Sequence, residues 1–258
     1  MNSPAVTLIQ SRDNSFVKDL RKLSHDNAAY RKQGRVWLEG DHLCRAALAR
    51  GLRPAVAVFA ESFWPQAPAE WAEAAGKVVV LADVLFADIS GLESPARMGY
   101  LLEWQPGQVP HTGVATVVLD RVQDAGNVGS ILRSAAAFGF AQVVALKGTA
   151  ALWSQKVLRA GMGAHFGLHL VESMEDAALQ ALQVPLIVTS SHQGALIQHT
   201  PLPWPCAWAM GHEGQGVGAA VEALATLQVR IGQPGGEESL NVAAAAAICL
   251  HASSLSAR

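Results

Sequence analysis

"LDRVQDAGNVGSILRSAAAFGF" (119–140) is the stretch on which the reading of this chain turns. It follows "VATVVLD" (114–120), whose apolar, β-branched run reads as a buried strand. Gly126 and Gly129 permit a tight turn out of that strand, and Asn127 is a good helix cap. A helix over 128–138 then buries Ile131, Leu132, Ala135 and Phe138. Arg133 lies one turn beyond Gly129 on the same face. A cation this early opposes the helix dipole by about 0.3–1 kcal/mol. The placement makes sense where an anion such as a nucleic-acid phosphate sits; a solvated arginine is the alternative.

The strand–turn–helix unit recurs downstream. "AQVVAL" (141–146) precedes a helix over 154–160, and "FGLHLV" (166–171) one over 173–183. "PLIVTS" (185–190) runs into a long loop through Trp204. "CAWAM" (206–210) leads to a helix over 217–225, and "LQVRI" (227–231) to a last helix over 239–252. This alternation predicts a mostly parallel sheet covered by helices, with ligands beyond the carboxyl ends of its strands. Upstream, "SFVKDLRKL" (15–23) has helical spacing, and "RVWLEG", "AVAVFA" and "KVVVLA" read as strands separated by helices over 41–51 and 66–75. "EWQPGQVPHTG" (103–113) reads as linker. The expected domains are therefore 1–106, a small α/β unit, and 114–258, joined by 107–113.

Half of the 258 residues are apolar and 16% are charged, so the chain can bury a core. Residues 1–53 carry ten Lys and Arg against five Asp and Glu, whereas the remainder carries nine against sixteen. A basic module joined to an acidic one suggests that the first meets a polyanion, although a solvated helical face gives the same count. The longest apolar run, Val242–Leu250, falls short of the roughly 20 residues that cross a bilayer. The start lacks the pattern of a signal peptide, and three scattered cysteines suggest neither a disulfide framework nor a metal site. A soluble cytoplasmic protein is expected.

Two further strand ends carry unusual chemistry. "MGHEGQGV" (210–217) sets Glu213 among glycines 211, 214 and 216. The missing Gly-Lys-Ser/Thr excludes a P-loop, and G-x-G-x-x-G is absent too, which weakens a nicotinamide-dependent oxidoreductase. Glu213 would repel a phosphate but tolerate a neutral or cationic ligand; alternatively it caps the following helix. In "RIGQPGGEESLNVAAAAAICLHA" (230–252) Ser239 can cap the final helix, Asn241 stands in its first turn, and five alanines allow close packing.

Together, Asn127-x-Gly129-x-x-x-Arg133, Gly211-x-Glu213-Gly214-x-Gly216 and Ser239-Leu240-Asn241 resemble the three ordered motifs of the SpoU/TrmH family. These are S-adenosylmethionine-dependent RNA 2′-O-ribose methyltransferases of the SPOUT class. The resemblance covers roughly 114–253 and includes "QKVLRAGMGAHF" (155–166); the N-terminal part is similar to the family's ribosomal-protein-like RNA-binding domain. Ala125 stands where the family usually has proline, and "IGQP" (231–234) where it often has isoleucine-proline-methionine.

The resemblance implies a C-terminal trefoil-knotted parallel-sheet domain, which no periodicity argument reaches because knots are nearly absent among folds. It also implies a homodimer in which arginine from one subunit serves a cofactor held by the other. By position, Gly211, Ile231, Leu240 and Thr189 would hold S-adenosylmethionine. Arg133 would anchor phosphate and stabilise developing alkoxide charge, Asn127 and Ser239 would orient the nucleotide, and Glu213 and Asn241 would shape the site. Arg12, Lys18, Arg21, Lys22, Lys156 and Arg159 would meet RNA. Ribosomal RNA is the favoured substrate; transfer RNA, or RNA binding without catalysis, are the alternatives. No metal is implied.

Overall fold

The computed structural model describes residues 5–190, 193–235 and 239–257. Its contacts group into two units, Met1–Pro106 with Trp153–Phe166, and Gly107–Leu152 with Gly167–Arg258. Residues 236–238 of the third glycine-rich loop lie outside the described residues.

The first unit runs β1 (Val6–Ile9), α1 (Ser15–His25), α2 (Ala29–Gln33), β2 (Arg35–Glu39), α3 (Asp41–Ala49), β3 (Val56–Ala60), α4 (Ala69–Glu73), β4 (Lys77–Leu81), α5 (Asp83–Ile89) and β5 (Met98–Glu103). Its strands order as β1-β4-β3-β5-β2, with β5 antiparallel to both neighbours. Helix α1 starts where the Asn14 side chain accepts from Phe16 N at 2.9 Å, and it buries Val17, Leu20 and Leu23. Sequence reading overlooks β1, α2, α5 and β5. It also merges a 3-10 turn over 64–66 and the short α4 into one helix. The glycine at 99 in β5 is dictated by packing: a Cβ there would lie 2.2 Å from the Trp37 ring.

The second unit contains β6 (Thr116–Leu119), α6 (Ala125–Ala137) and β7 (Gln142–Leu146). Helix α7 (Gln155–Gly161) comes next in the chain but packs with the first unit, where Gln155 Nε2 donates to Trp37 O at 2.7 Å. The second unit resumes with β8 (His169–Met174), β9 (Leu186–Thr189), β10 (Ala195–Leu196), β11 (Ala207–Met210), α8 (Ala219–Glu222), β12 (Leu227–Arg230) and α9 (Val242–Ser254).

All seven strands of this sheet are parallel, in the order β10-β12-β9-β11-β6-β7-β8. Both faces are covered, as a parallel sheet requires. Along β11, Ala207 and Ala209 join the core containing Leu179, Leu182 and Val221. Trp208 points to the other face, where its Nε1 donates to Ser253 Oγ of α9 at 2.8 Å. That hydrogen bond, together with α6–α9 packing, seats the last helix.

Several helix ends differ from the sequence reading. Asp124, not Asn127, caps α6, its Oδ1 accepting from Asn127 N at 2.7 Å. Asn241, not Ser239, caps α9, accepting from Ala243 N at 2.9 Å and Ala244 N at 3.3 Å. Residues 173–183 finish β8 and continue as 3-10 turns over Asp176–Leu182. The helix expected over 217–225 shrinks to the four residues of α8: Gly218 caps its start with its N–H on Asp120, and i→i+3 bonds from Leu224 N and Ala225 N close its end as tighter turns.

Candidate active site

The strand order, more than any one loop, builds the site. β12, β9, β11 and β6 are consecutive neighbours in the sheet and point the same way. Their carboxyl ends therefore present Ile231, Thr189, Gly211 and Asp120 side by side, at the roughly 4.8 Å spacing of adjacent strands. Above the first three lies a cavity of about 600 Å³. Thr189, Gly211, Ile231 and Leu240 line it, as do Glu213, Ser239 and Asn241. No lysine or arginine lines it among the described residues.

The loop after β11 is a closed hairpin. His212 N donates to Gly216 O at 3.0 Å and Gly216 N to His212 O at 2.8 Å. His212 Nδ1 accepts from Gly214 N at 3.0 Å and Gln215 N at 3.3 Å, so the ring bears its proton on Nε2. Gly216 has φ +69°, a left-handed conformation that favours glycine. At Gly211 a Cβ would stand 2.2 Å from Gly216 C and 2.3 Å from Val217 N. The space that glycine keeps free is thus occupied by the loop's own backbone.

Side chains tie the three loops together. Glu213 Oε1 accepts from Asn127 Nδ2 at 3.1 Å and Asp124 N at 3.3 Å, and Oε2 from Gln123 N at 3.5 Å. Asn127 Oδ1 in turn accepts from Asn241 Nδ2 at 3.0 Å. The chain Glu213–Asn127–Asn241 ends on the first amides of α9, so every member has a donor for its acceptor. Glu213 does not cap the following helix; it crosses to the first loop.

Sequence reading missed a second clasp. Asp120, 3% exposed, accepts from Gly218 N at 2.6 Å and pairs with Arg121 Nε at 2.8 Å. Arg121 reaches on to Gln215 Oε1 at 3.2 Å from a left-handed backbone with φ +58°. An acidic–basic pair directly after a buried strand was the available signal.

A family model described as the SpoU rRNA Methylase family matches residues 115–251, which contain all of these loops. The chain belongs to that family. A second model, the MRM3-like substrate binding domain, matches residues 14–98. The 23S rRNA (guanosine(2553)-2′-O)-methyltransferase RlmP of Bacillus subtilis is 31% identical over 94% of this chain and 97% of its own. The AdoMet-bound rRNA methyltransferase of Sinorhizobium meliloti is 25% identical, with TM-score 0.82 over 96% of this chain and 97% of that one. The AdoMet complex of AviRb from Streptomyces viridochromogenes shares the fold, with TM-score 0.84, 20% identity, and coverage of 95% and 98%.

In this SpoU-family chain Arg133 is exposed on α6, outside the cavity wall, and makes no hydrogen bond or ion pair among the described residues. Asn127 also stays off the wall and reaches it through Glu213 and Asn241. The six basic residues expected to meet RNA all fall in the first unit. Lys18 pairs with Asp13 at 3.0 Å and Arg21 with Asp88, while Arg159 Nη1 donates to Gly91 O at 3.4 Å. Arg12, Lys22 and Lys156 are exposed. No described helix is long and apolar enough to cross a membrane, and no cluster of metal-ligating side chains occurs among the described residues.

Burial pushes the Glu213 carboxyl up. Hydrogen bonds from its own backbone, Asn127, Asp124 and Gln123 outweigh this and hold it below the ordinary glutamate range. A lowered folded-state pKa adds stability that is complete above the unfolded value and is lost as pH falls through the folded one. The stability difference between wild type and Glu213→Gln should therefore stay constant from neutrality down to the ordinary glutamate range, then shrink. Thermal unfolding at a series of pH values checks this; a difference that already shrinks between pH 7 and 6 would contradict it.

Proposed function

We propose that this chain transfers the methyl group of S-adenosylmethionine to a ribose 2′-hydroxyl of ribosomal RNA. The observation that carries the reading is the cavity at three adjacent strand ends, walled by Thr189, Gly211, Ile231 and Leu240 and closed by the Glu213–Asn127–Asn241 chain. Its chemistry fits the cofactor. A sulfonium without phosphates suits a wall that holds Glu213 and Glu222 and lacks lysine and arginine. Leu240, 38% exposed on that wall, supplies apolar surface for a ring.

When bound, S-adenosylmethionine supplies an electrophilic methyl group. The protein must hold the ribose oxygen in line with it and favour partial loss of the hydroxyl proton. Such positioning is worth about 7–11 kcal/mol in favourable cases. The guanidinium of Arg133 presents donors and no acceptor, which makes it a poor base; its role is to anchor a phosphate and stabilise developing alkoxide charge. Ser239 orients the nucleotide, while Asn127, whose amide is spent on Glu213 and Asn241, keeps the loops in place with them.

The first unit, with 107–113 as linker, serves as the RNA-binding domain through Arg12, Lys18, Arg21, Lys22, Lys156 and Arg159, and 114–258 as the methyltransferase domain. The knot of the SPOUT class belongs to this reading, as do a homodimer and a cytoplasmic location. Helix α9 supports the dimer: its residues Val242–Leu250 are all apolar, with Ile248 41% exposed and Leu255, just past the helix end, 56% exposed. In a dimer Arg133 of one subunit would serve the cavity of the other, which accounts for its distance from its own.

Incubation with methyl-labelled cofactor and separate ribosomal and transfer RNA pools tests the proposal. Label should enter ribosomal RNA as 2′-O-methylribose. Label confined to transfer RNA would overturn the substrate, and no label in either pool the enzymatic reading.

A further inference from the structure

Gln233 has no part in the loop network, yet it forms part of the same cavity wall, two residues beyond Ile231. Its Oε1 is closed to solvent and receives no hydrogen bond. Buried acceptors are almost always paired, so an unpaired one at a ligand cavity calls for a donor from the ligand. Water cannot supply that donor where the oxygen now sits. The terminal torsion of glutamine is soft, however, so the amide can turn when a donor arrives at the wall.

The walls around this point limit which donor arrives. Ile231, Leu240 and Val242 are apolar and line the cavity with Gln233, so they suit the flat face of a base. The hydrogen-bonding hairpin 211–216 and Glu222 form its polar wall and suit the ribose and the charged tail. Of the donors on S-adenosylmethionine, the adenine 6-amino group alone is borne by an aromatic ring. We infer that Gln233 is a specificity-determining residue whose side-chain amide oxygen accepts a hydrogen bond from the adenine 6-amino group. Where the family often has methionine, this chain adds a polar reading of the base. The inference rests on the cofactor reading above.

Calorimetry with S-adenosylhomocysteine and its 6-desamino analogue, which carries hydrogen in place of the amino group, separates the two. The wild-type protein should bind the amino compound about tenfold more tightly, the scale of one net hydrogen bond. Gln233→Met, similar in length but without the amide, should bind the two compounds equally. Gln233→Glu, which keeps an acceptor, should retain the preference. Equal affinities in the wild-type protein, or a preference that survives in Gln233→Met, would overturn the assignment of Gln233. Failure of the wild-type protein to bind either compound would overturn the cofactor reading itself.

Discussion

Arg133→Ala should lower methyl transfer by about 10²–10³-fold, the usual cost of removing one group that stabilises developing negative charge. Cofactor affinity and thermal stability should stay at wild-type values. The physical reason is position: Arg133 is exposed on α6, lines no part of the cavity and makes no ion pair among the described residues, so nothing in the folded chain depends on it. Arg133→Lys keeps the charge but loses the planar fork, and should recover part of the activity. A substrate with 2′-deoxyribose at the target should remain unmethylated by every variant. Single-turnover assays with calorimetry separate these effects. Wild-type turnover in Arg133→Ala would remove this residue from the reaction, and methylation of the deoxy substrate would remove the ribose chemistry.

Gly211→Ala should abolish S-adenosylmethionine binding, with at least a hundredfold loss of affinity, because a misfit of this kind costs several kcal/mol of the loop's order. The added Cβ would stand 2.2 Å from Gly216 C and 2.3 Å from Val217 N, both backbone atoms that cannot swing aside. The hairpin held by His212 and Gly216 must then open, carrying Glu213 away from Asn127. Gly214→Ala is the matched control. Its Cβ would meet nothing closer than the His212 ring at 3.8 Å, so affinity should change little. Circular dichroism checks that both variants keep the fold, and calorimetry reads the affinity. Wild-type affinity in Gly211→Ala would show that the hairpin does not form the cofactor wall.

Alternating apolar strands and helical periods, from Thr116 to Ser254, mark out the parallel sheet in the sequence itself. The motif residues were legible too, because glycines, amides and a lone carboxylate at strand ends are rare enough to stand out. Which amide caps which helix was not legible. Asp124 and Asn127 are both good caps, as are Ser239 and Asn241; the choice fell on Asp124 and Asn241. That left the Asn127 side chain to bridge Glu213 and Asn241, a bond between loops far apart in sequence.

Other features lay beyond local pattern altogether. Trp153–Phe166 follows β7 in the chain yet packs with the first unit, since its apolar face reports burial but not the partner that buries it. Strand order is invisible for the same reason: hydrophobic periodicity records that a strand has neighbours, never which ones. Only the crossovers that set β12, β9, β11 and β6 side by side bring Ile231, Thr189, Gly211 and Asp120 to one edge. The sequence alone determined the chemistry carried at each strand end, and the tertiary structure decided that the ends of β12, β9 and β11 share one cavity.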